Sequence, residues 1–130
     1  MTLTYSEETY YHYDFTGKLL DQERWDVERV KRGQTHALIK ECQQQKAIET
    51  SAQASAAQWV DYFQNILKQT PEASTLDRAR LMRFIAENHE ILEQFAVALE
   101  WFERAQDENS KVGVKTKIKQ IQKKLTQTNL

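Results

Sequence analysis

The sequence has one proline, three glycines and one cysteine among 130 residues. Because proline and glycine interrupt helices and supply most tight turns, their scarcity argues against a sheet-dominated domain and favours long helices. A lone cysteine, Cys42, excludes an intramolecular disulfide and predicts a reducing compartment. A long apolar run and the basic, apolar start of a signal peptide are also lacking. The sequence therefore predicts a cytoplasmic protein with no membrane partner.

Residues that hold metals or cofactors are equally scarce. No glycine-rich phosphate loop occurs, and no Glu lies three residues before a His, as a di-iron helical bundle requires. Zinc needs four Cys or His side chains within close reach. The candidates are scattered along the chain, at His12, His36, Cys42 and His89. We therefore predict no metal, no cofactor and no small-molecule substrate.

Negative charge is missing from the last twenty residues of the sequence. The formal net charge is −1, but the last twenty residues, from Lys111 to Leu130, contain six lysines and no acid. The preceding part carries 12 basic and 19 acidic residues, the chain's 18 basic residues less these six. The sequence thus combines an acidic body with a basic tail.

The stretch Ser74–Asp107 has the strongest helical pattern. It contains neither Pro nor Gly, and its apolar residues recur at a spacing that places them on one broad face of a helix. Ser74 or Thr75 is expected to cap the first turn. We predict one long helix over this stretch.

A second long helix is predicted from Thr35, its expected cap, to Lys68. The connection 69–73 is so short that the two long helices must turn back on each other as an antiparallel hairpin. The hairpin predicts three contacts, which are Trp59 with Phe84, Ala52 with Ile91, and Cys42 with Trp101.

Shorter segments flank the hairpin. Lys18–Arg32 reads as an amphipathic helix that ends at Gly33. After Gly113, the residues Val114, Ile118, Ile121 and Leu125 return at helical spacing and predict a basic C-terminal helix. The predicted fold is an all-α antiparallel helical bundle, with residues 1–16 as an aromatic-rich arm and residues 17–130 as a single domain.

Two sets of apolar residues are candidates for partner binding. In the arm, the apolar residues of 11–15 alternate at period two, which suits an extended segment lying in a groove, but Ser6 and two following glutamates could equally open a short helix. The rings either cover the end of the bundle or contact a partner. On the central helix, an apolar face of about 45–50 Å would be too long for its own chain to cover, so we predict a homodimer. The candidates are Tyr10, Tyr11, Tyr13, Phe15, Phe95, Leu99 and Phe102.

The charges of the predicted central helix oppose its dipole. Arg78, Arg80 and Arg83 come early, where anions are favoured, and four acids come late. Either neighbouring helices compensate, with lysines from Lys111 onwards folding back on the acids, or the arginines bind an external anion. The candidates for anion binding are Arg78, Arg80, Arg83, Lys115, Lys119 and Lys123.

Arg83 and His89, in the segment RFIAENH, resemble the Arg–spacer–His motif of the HEPN helical ribonucleases. That resemblance implies a catalytic pair acting on RNA across a dimer interface. His89 also lies on the apolar face of the predicted helix, where a buried, hydrogen-bonded histidine is the alternative interpretation.

Residues 96–106, AVALEWFERAQ, resemble the second helix of a tetratricopeptide repeat. Ala98, Phe102 and Ala105 stand at its small, aromatic and small positions. The resemblance implies a helix–turn–helix unit with a turn within Ile91–Gln94. No helix breaker occurs there, so the pattern itself favours the single helix.

These observations lead to three functional hypotheses. The first is a non-enzymatic interaction module, an adaptor, regulator or small subunit of an assembly, that binds a protein partner or a second copy of itself. The second is an accessory RNA- or DNA-binding protein that contacts phosphates through Arg78, Arg80, Arg83 and the C-terminal lysines. The third is a ribonuclease that uses Arg83 and His89.

Overall fold

In the computed structural model, the described residues are 19–47 and 52–128, and they form helices without any strand. The all-α prediction is confirmed. The predicted arm, with Tyr10, Tyr11, Tyr13 and Phe15, lies outside the described residues. The α-helices are α1 (Leu19–Lys31), α2 (Thr35–Ala47), α3 (Ala52–Lys68), α4 (Thr75–Ile91), α5 (Phe95–Glu108) and α6 (Lys115–Thr128).

The predicted single helix over Ser74–Asp107 is wrong, because α4 ends at Ile91 and α5 begins at Phe95. In the turn, the Glu93 N–H donates to the Glu90 carbonyl at 2.9 Å and the Gln94 N–H donates to the His89 carbonyl at 2.9 Å. Glu93 has φ +60°, a left-handed conformation that usually falls to glycine. A residue with a side chain pays roughly 1–2 kcal/mol to adopt this conformation, so a glutamate is not expected here. The amino-acid composition of the segment therefore does not predict the break.

The turn between α1 and α2 has the same hydrogen-bond pattern. The Gly33 N–H donates to the Val30 carbonyl at 3.0 Å, and the Gln34 N–H donates to the Arg29 carbonyl at 2.9 Å. Gly33 has φ +77°, which glycine adopts without strain. The predicted end of α1 at Gly33 is therefore confirmed, and two helix pairs share one kind of turn.

The predicted straight helix over Thr35–Lys68 is also wrong. Arg29 on α1 binds Glu41 of α2 through two hydrogen bonds of 3.0 and 2.6 Å. Asp26, three residues earlier on α1, accepts a 2.5 Å hydrogen bond from Tyr62 of α3. A straight helix would place Glu41 and Tyr62 about 31 Å apart. Since one short segment of α1 binds both, α2 and α3 are separate helices that pack on α1.

The central element of the core is α4, which packs against α2, α3 and α5. The ring centroids of Trp59 and Phe84 lie 6.3 Å apart, so this predicted contact between the long segments is confirmed. Phe63 packs beside both rings, with its ring centroid 4.9 Å from that of Phe84 and 5.7 Å from that of Trp59. Cys42 is buried in the same core, and its predicted contact with Trp101 stays a prediction. The side chain of Ala52 is not described.

Helices α4 and α5 run antiparallel, which explains the charges that oppose the helix dipole. The start of α4 lies beside the end of α5, where Arg78 Nε is 3.3 Å from Glu108 Oε2. Arg78 also donates to the carbonyls of Leu67 and Thr70, at 3.3 and 3.1 Å. The compensation predicted between neighbouring helices therefore comes from this arginine rather than from the tail lysines.

The predicted side-chain caps do not form. Ser74 precedes α4 without accepting a hydrogen bond through its side chain. Thr75 Oγ1 instead accepts a 3.0 Å hydrogen bond from Asn109 Nδ2, which links the two ends of the α4–α5 pair. Thr35 Oγ1 is buried and finds no hydrogen-bond partner among the described residues. Backbone turns and links between helices therefore set these helix ends.

The predicted C-terminal helix is confirmed as α6, which follows a short 3-10 turn, Ser110–Val112, and Gly113 with φ +75°. Val114 and Ile121 are buried against the core, while Ile118 and Leu125 are half-buried. Lys124, late in α6, lies over the Phe95 ring at 4.4 Å from its centroid. Because Phe95 begins α5, α6 runs antiparallel to α5.

Candidate functional site

The three arginines predicted to bind anions contact the protein itself. Arg78 is the link between helices described above, and Arg80 Nη1 lies 4.0 Å from Asp77 Oδ1 on the same helix. Arg83 Nη1 donates to the Val112 carbonyl at 3.3 Å, beside the start of α6. Arg78 therefore stabilises the fold. Its release would leave the carbonyls of Leu67 and Thr70 without this donor and Glu108 without its ion-pair partner.

The lysines of the same candidate set lie at the surface. Lys115, Lys119 and Lys123 follow one another every four residues along α6 and are exposed. At this spacing they occupy one side of the helix, opposite the buried Ile121. The structure thus separates the predicted anion-binding set into engaged arginines on α4 and exposed lysines on α6.

Phe102 has to be removed from the predicted partner-binding residues. Its side chain is 0% exposed and packs in the core with Ala98 and Ala105, which are also 0% exposed. A partner could reach it only if α5 detached. Phe95 and Leu99 are half-buried against the core, and Lys124 covers part of the Phe95 ring. These two residues are therefore at the edge of the α5–α6 contact and not on an open face.

The length argument for a homodimer also fails. It required one apolar face of about 45–50 Å, and the turn at Leu92–Gln94 folds that stretch into two helices that cover each other. Within the described residues, the apolar face on which that argument depended is therefore covered by the chain itself.

The sequence analysis missed a surface on α5 that we call the α5 ridge, formed by Val97, Trp101 and Arg104. Val97 is 37% exposed and Trp101 is half-buried. The Arg104 guanidinium lies 4.1 Å from the centroid of the Trp101 ring, at cation–π distance. Spacings of four and three residues place all three on one side of α5. That spacing was a readable signal, but the broad apolar pattern of the predicted long helix concealed it.

Arg83 and His89, the residues of the ribonuclease resemblance, both make hydrogen bonds within the chain. His89 is 9% exposed, and its Nδ1 shares a 2.7 Å hydrogen bond with Gln94 Oε1. Gln94 is the last residue of the α4–α5 turn, so this bond joins the end of α4 to the start of α5. The alternative interpretation, a buried and hydrogen-bonded histidine, describes this arrangement.

A charged strip on α4 lies between α2 and α6. Burial raises the pKa of the Glu87 carboxyl, and Glu90 adds to this, whereas Arg83, Lys117 and a hydrogen bond with Gln43 act to lower it. Lys117 Nζ is 3.2 Å from Glu90 Oε2. Side chains from three helices therefore meet here, and they balance one another's charges within the chain.

A second polar cluster is buried between α1, α2 and α3. Asp26 is 0% exposed and accepts the hydrogen bond from Tyr62, which is 4% exposed. Burial, and then the Asp26 carboxylate, raise the pKa of the Tyr62 hydroxyl far above its usual range. Arg29 Nη1 lies 4.0 Å from Asp26 Oδ1 and continues the cluster to Glu41. Such a network fixes how three helices pack, since a lost member would leave a buried polar group unpaired.

Within residues 19–47 and 52–128, no group of three or more His, Cys, Asp or Glu side chains is placed to hold a metal ion. None of the helices described there has the length and apolarity needed to cross a membrane. Comparisons of the chain with protein-family models, curated proteins and solved structures gave no match.

Proposed function

We propose that this protein is a non-enzymatic helical interaction module that binds a protein partner through the α5 ridge. The observation that carries the proposal is the exposed Val97 beside the half-buried Trp101, with Arg104 stacked on the ring. Tryptophan and arginine are the residue types that most often dominate binding energy at protein interfaces. Here they form one preordered patch on the outer side of a helix.

The arrangement of the two helices α4 and α5 and of the turn between them supports this proposal. The turn that the tetratricopeptide resemblance requires is found at Leu92–Gln94. Ala98, Phe102 and Ala105 are fully buried, as the small and aromatic positions of such a unit would be. The first helix of these repeats has a large, an apolar, a small and a ring residue at fixed spacing. Four buried residues of α4 stand at the same spacing, Met82, Ile85, Ala86 and His89.

Stacked helix pairs of this kind serve as rigid supports for binding surfaces. The α5 ridge fits that use, because α5 packs against α4 on its inner side and against α6 on a second side. A rigid support reduces the entropy lost when a partner binds, so a small patch can bind usefully. The partner's matching surface would offer an apolar pocket for Trp101 and an acceptor for Arg104.

The proposal is tested by affinity capture from the native host, with the wild-type protein and two variants as bait. Val97→Glu places a charge at one end of the ridge, and Trp101→Ala removes its largest side chain. Ala57→Glu is the matched control, because Ala57 is also exposed on a helix but lies on α3. A contact that dominates binding contributes about 2 kcal/mol or more, which corresponds to a loss of affinity of roughly thirtyfold. We therefore expect either ridge variant to recover much less of a partner than the wild type does.

The control variant should recover the partner as well as the wild type does, and thermal melting should show that all four proteins are folded. Equal recovery by all four baits would reject the α5 ridge as the binding surface.

A further inference from the structure

Two exposed stripes of opposite charge lie on α5 and α6, which are in contact with each other. The acidic stripe is Glu100, Glu103 and Asp107 on α5, and all three residues are exposed. The basic stripe is Lys115, Lys119 and Lys123 on α6, also exposed. The first and last residues of the two stripes are seven and eight positions apart, which corresponds to about 10.5 and 12 Å at 1.5 Å per residue. They are therefore matched in length as well as opposite in charge.

The two stripes do not neutralise each other within the chain. Among the described residues, no ion pair joins any of these six side chains. The charges that do link α5 and α6 to the rest of the fold are other ones, Glu108 with Arg78 and Lys117 with Glu90. Both stripes thus remain available on adjacent antiparallel helices.

We propose that the two stripes are a docking surface for a second copy of this chain, in a two-fold symmetric dimer. A two-fold axis that is parallel to the helices and passes outside the α5–α6 pair, between the two copies, places α5 of one copy over α6 of the other, and the reverse contact follows by symmetry. Each acidic stripe then faces a basic stripe, and the four helices form a small bundle. Like charges would face each other in the other simple pairing, α5 on α5, so charge also selects the arrangement.

Helices can approach closely at this surface. Ala96, exposed and small, lies on the same side of α5 as the acidic stripe. A small side chain leaves room for the partner helix, and the long lysine stems can cover it while their ammonium groups reach the carboxylates. Exposed ion pairs are individually weak and screened by salt, so the dimer should be weak and salt-dependent.

This self-docking is one form of the interaction role proposed above and rests on it, but it uses different side chains from the α5 ridge. The test is sedimentation equilibrium of the full chain from about 1 to 200 μM, at ~50 and ~500 mM salt, a range over which screening changes strongly. One triple variant is Glu100→Lys, Glu103→Lys and Asp107→Lys. The other is Lys115→Glu, Lys119→Glu and Lys123→Glu. A control with the same charge change as the lysine variant is Arg32→Glu, Lys40→Glu and Lys68→Glu, at exposed positions away from α5 and α6.

We expect the wild type and the control to dimerise at low salt, and each stripe variant alone to weaken the dimer at least about tenfold. An equimolar mixture of the two stripe variants should recover the wild-type affinity, because every contact again joins opposite charges. Monomers of 15.3 kDa at all concentrations would overturn the proposal, and so would a dimer that both stripe variants leave unchanged.

A third result would assign the lysines to another partner. If a labelled oligonucleotide bound the monomeric wild type with sub-micromolar affinity at ~200 mM salt, and the lysine variant lost that binding, the basic stripe would serve phosphates and the dimer proposal would fail. Capture through the α5 ridge is scored separately with Val97→Glu, which leaves all six stripe charges in place. Failure of the dimer and failure of the interaction role are thus distinguishable.

Discussion

Phe102→Ala is expected to lower the free energy of unfolding by about 3–5 kcal/mol, the usual cost of removing a phenyl ring from a packed core. The ring is 0% exposed and lies between α5 and the helices beneath it, with Ala98 and Ala105 beside it. Such small neighbours cannot collapse into the space that the ring leaves, so most of the cavity should persist. The measurement is urea unfolding followed by far-UV circular dichroism.

Phe95→Ala provides the matched control, since the same ring is removed from the same helix at a half-buried position. It should cost clearly less, because solvent already reaches part of the Phe95 ring. If the two variants lost the same stability, or if Phe102→Ala left stability unchanged and weakened a complex instead, Phe102 would be a surface contact as the sequence suggested.

The second large effect is expected at alkaline pH and comes from Tyr62. In the unfolded chain its hydroxyl has a pKa of about 10, and in the fold burial and Asp26 raise the pKa far above that value. The folded state therefore keeps a proton that the unfolded state loses. Stability is fully present below pH ~10 and should fall as pH rises above it, by about 1.4 kcal/mol per pH unit for this one group.

Tyr62→Phe is the informative variant. It lacks the titrating hydroxyl, so the part of the alkaline slope due to Tyr62 should disappear. The variant should also lose roughly 1–3 kcal/mol at neutral pH, because Asp26 is left buried without the hydroxyl that donates to it. Urea unfolding between pH 8 and 11.5 measures both effects. Parallel curves for the two proteins would show that Tyr62 does not hold its proton through the fold.

Some elements could be read from the sequence because their signals are local. The end of α1 follows from Gly33, which adopts φ +77°, and α6 follows from the spacing of Val114, Ile118, Ile121 and Leu125 after Gly113. The pairing of Trp59 with Phe84 was also correct, because the short connection between α3 and α4 determines it. Each of these predictions needed only a few neighbouring residues.

The errors arose where tertiary contacts override local preference. Glu93 adopts a left-handed conformation that its residue type disfavours, and the bond between His89 and Gln94 helps to hold the turn. The separation of α2 from α3 depends on Arg29 and Asp26, which bind Glu41 and Tyr62 from α1. Periodicity within one segment carries no information about a partner so distant in sequence.

The candidate surfaces show the same limit. The residue type of Arg78 suggested an anion site, but its role as a link between α3, α4 and α5 depends on the antiparallel pairing of α4 and α5. The broad apolar pattern of the predicted long helix concealed the α5 ridge and the acidic stripe, whereas the lysines of the basic stripe were already candidates in the sequence. The residues of the ridge and the acidic stripe were all present in the pattern, and the predicted single helix assigned them to the wrong neighbours.

The turn at Leu92–Gln94 is the central claim, because the α5 ridge and the stripes both depend on it. It is tested most directly by the distance between two nitroxide labels, which are attached to the cysteines introduced by Asp77→Cys and Asp107→Cys in a Cys42→Ala background. The distance is measured by pulsed electron paramagnetic resonance spectroscopy. A straight helix would separate these positions by about 45 Å. The ion pair between Arg78 and Glu108 places them side by side on packed helices, whose axes lie about 8–10 Å apart. We expect a single short distance, well under half of the straight-helix value, and a distance near 45 Å would contradict the fold and both proposed surfaces.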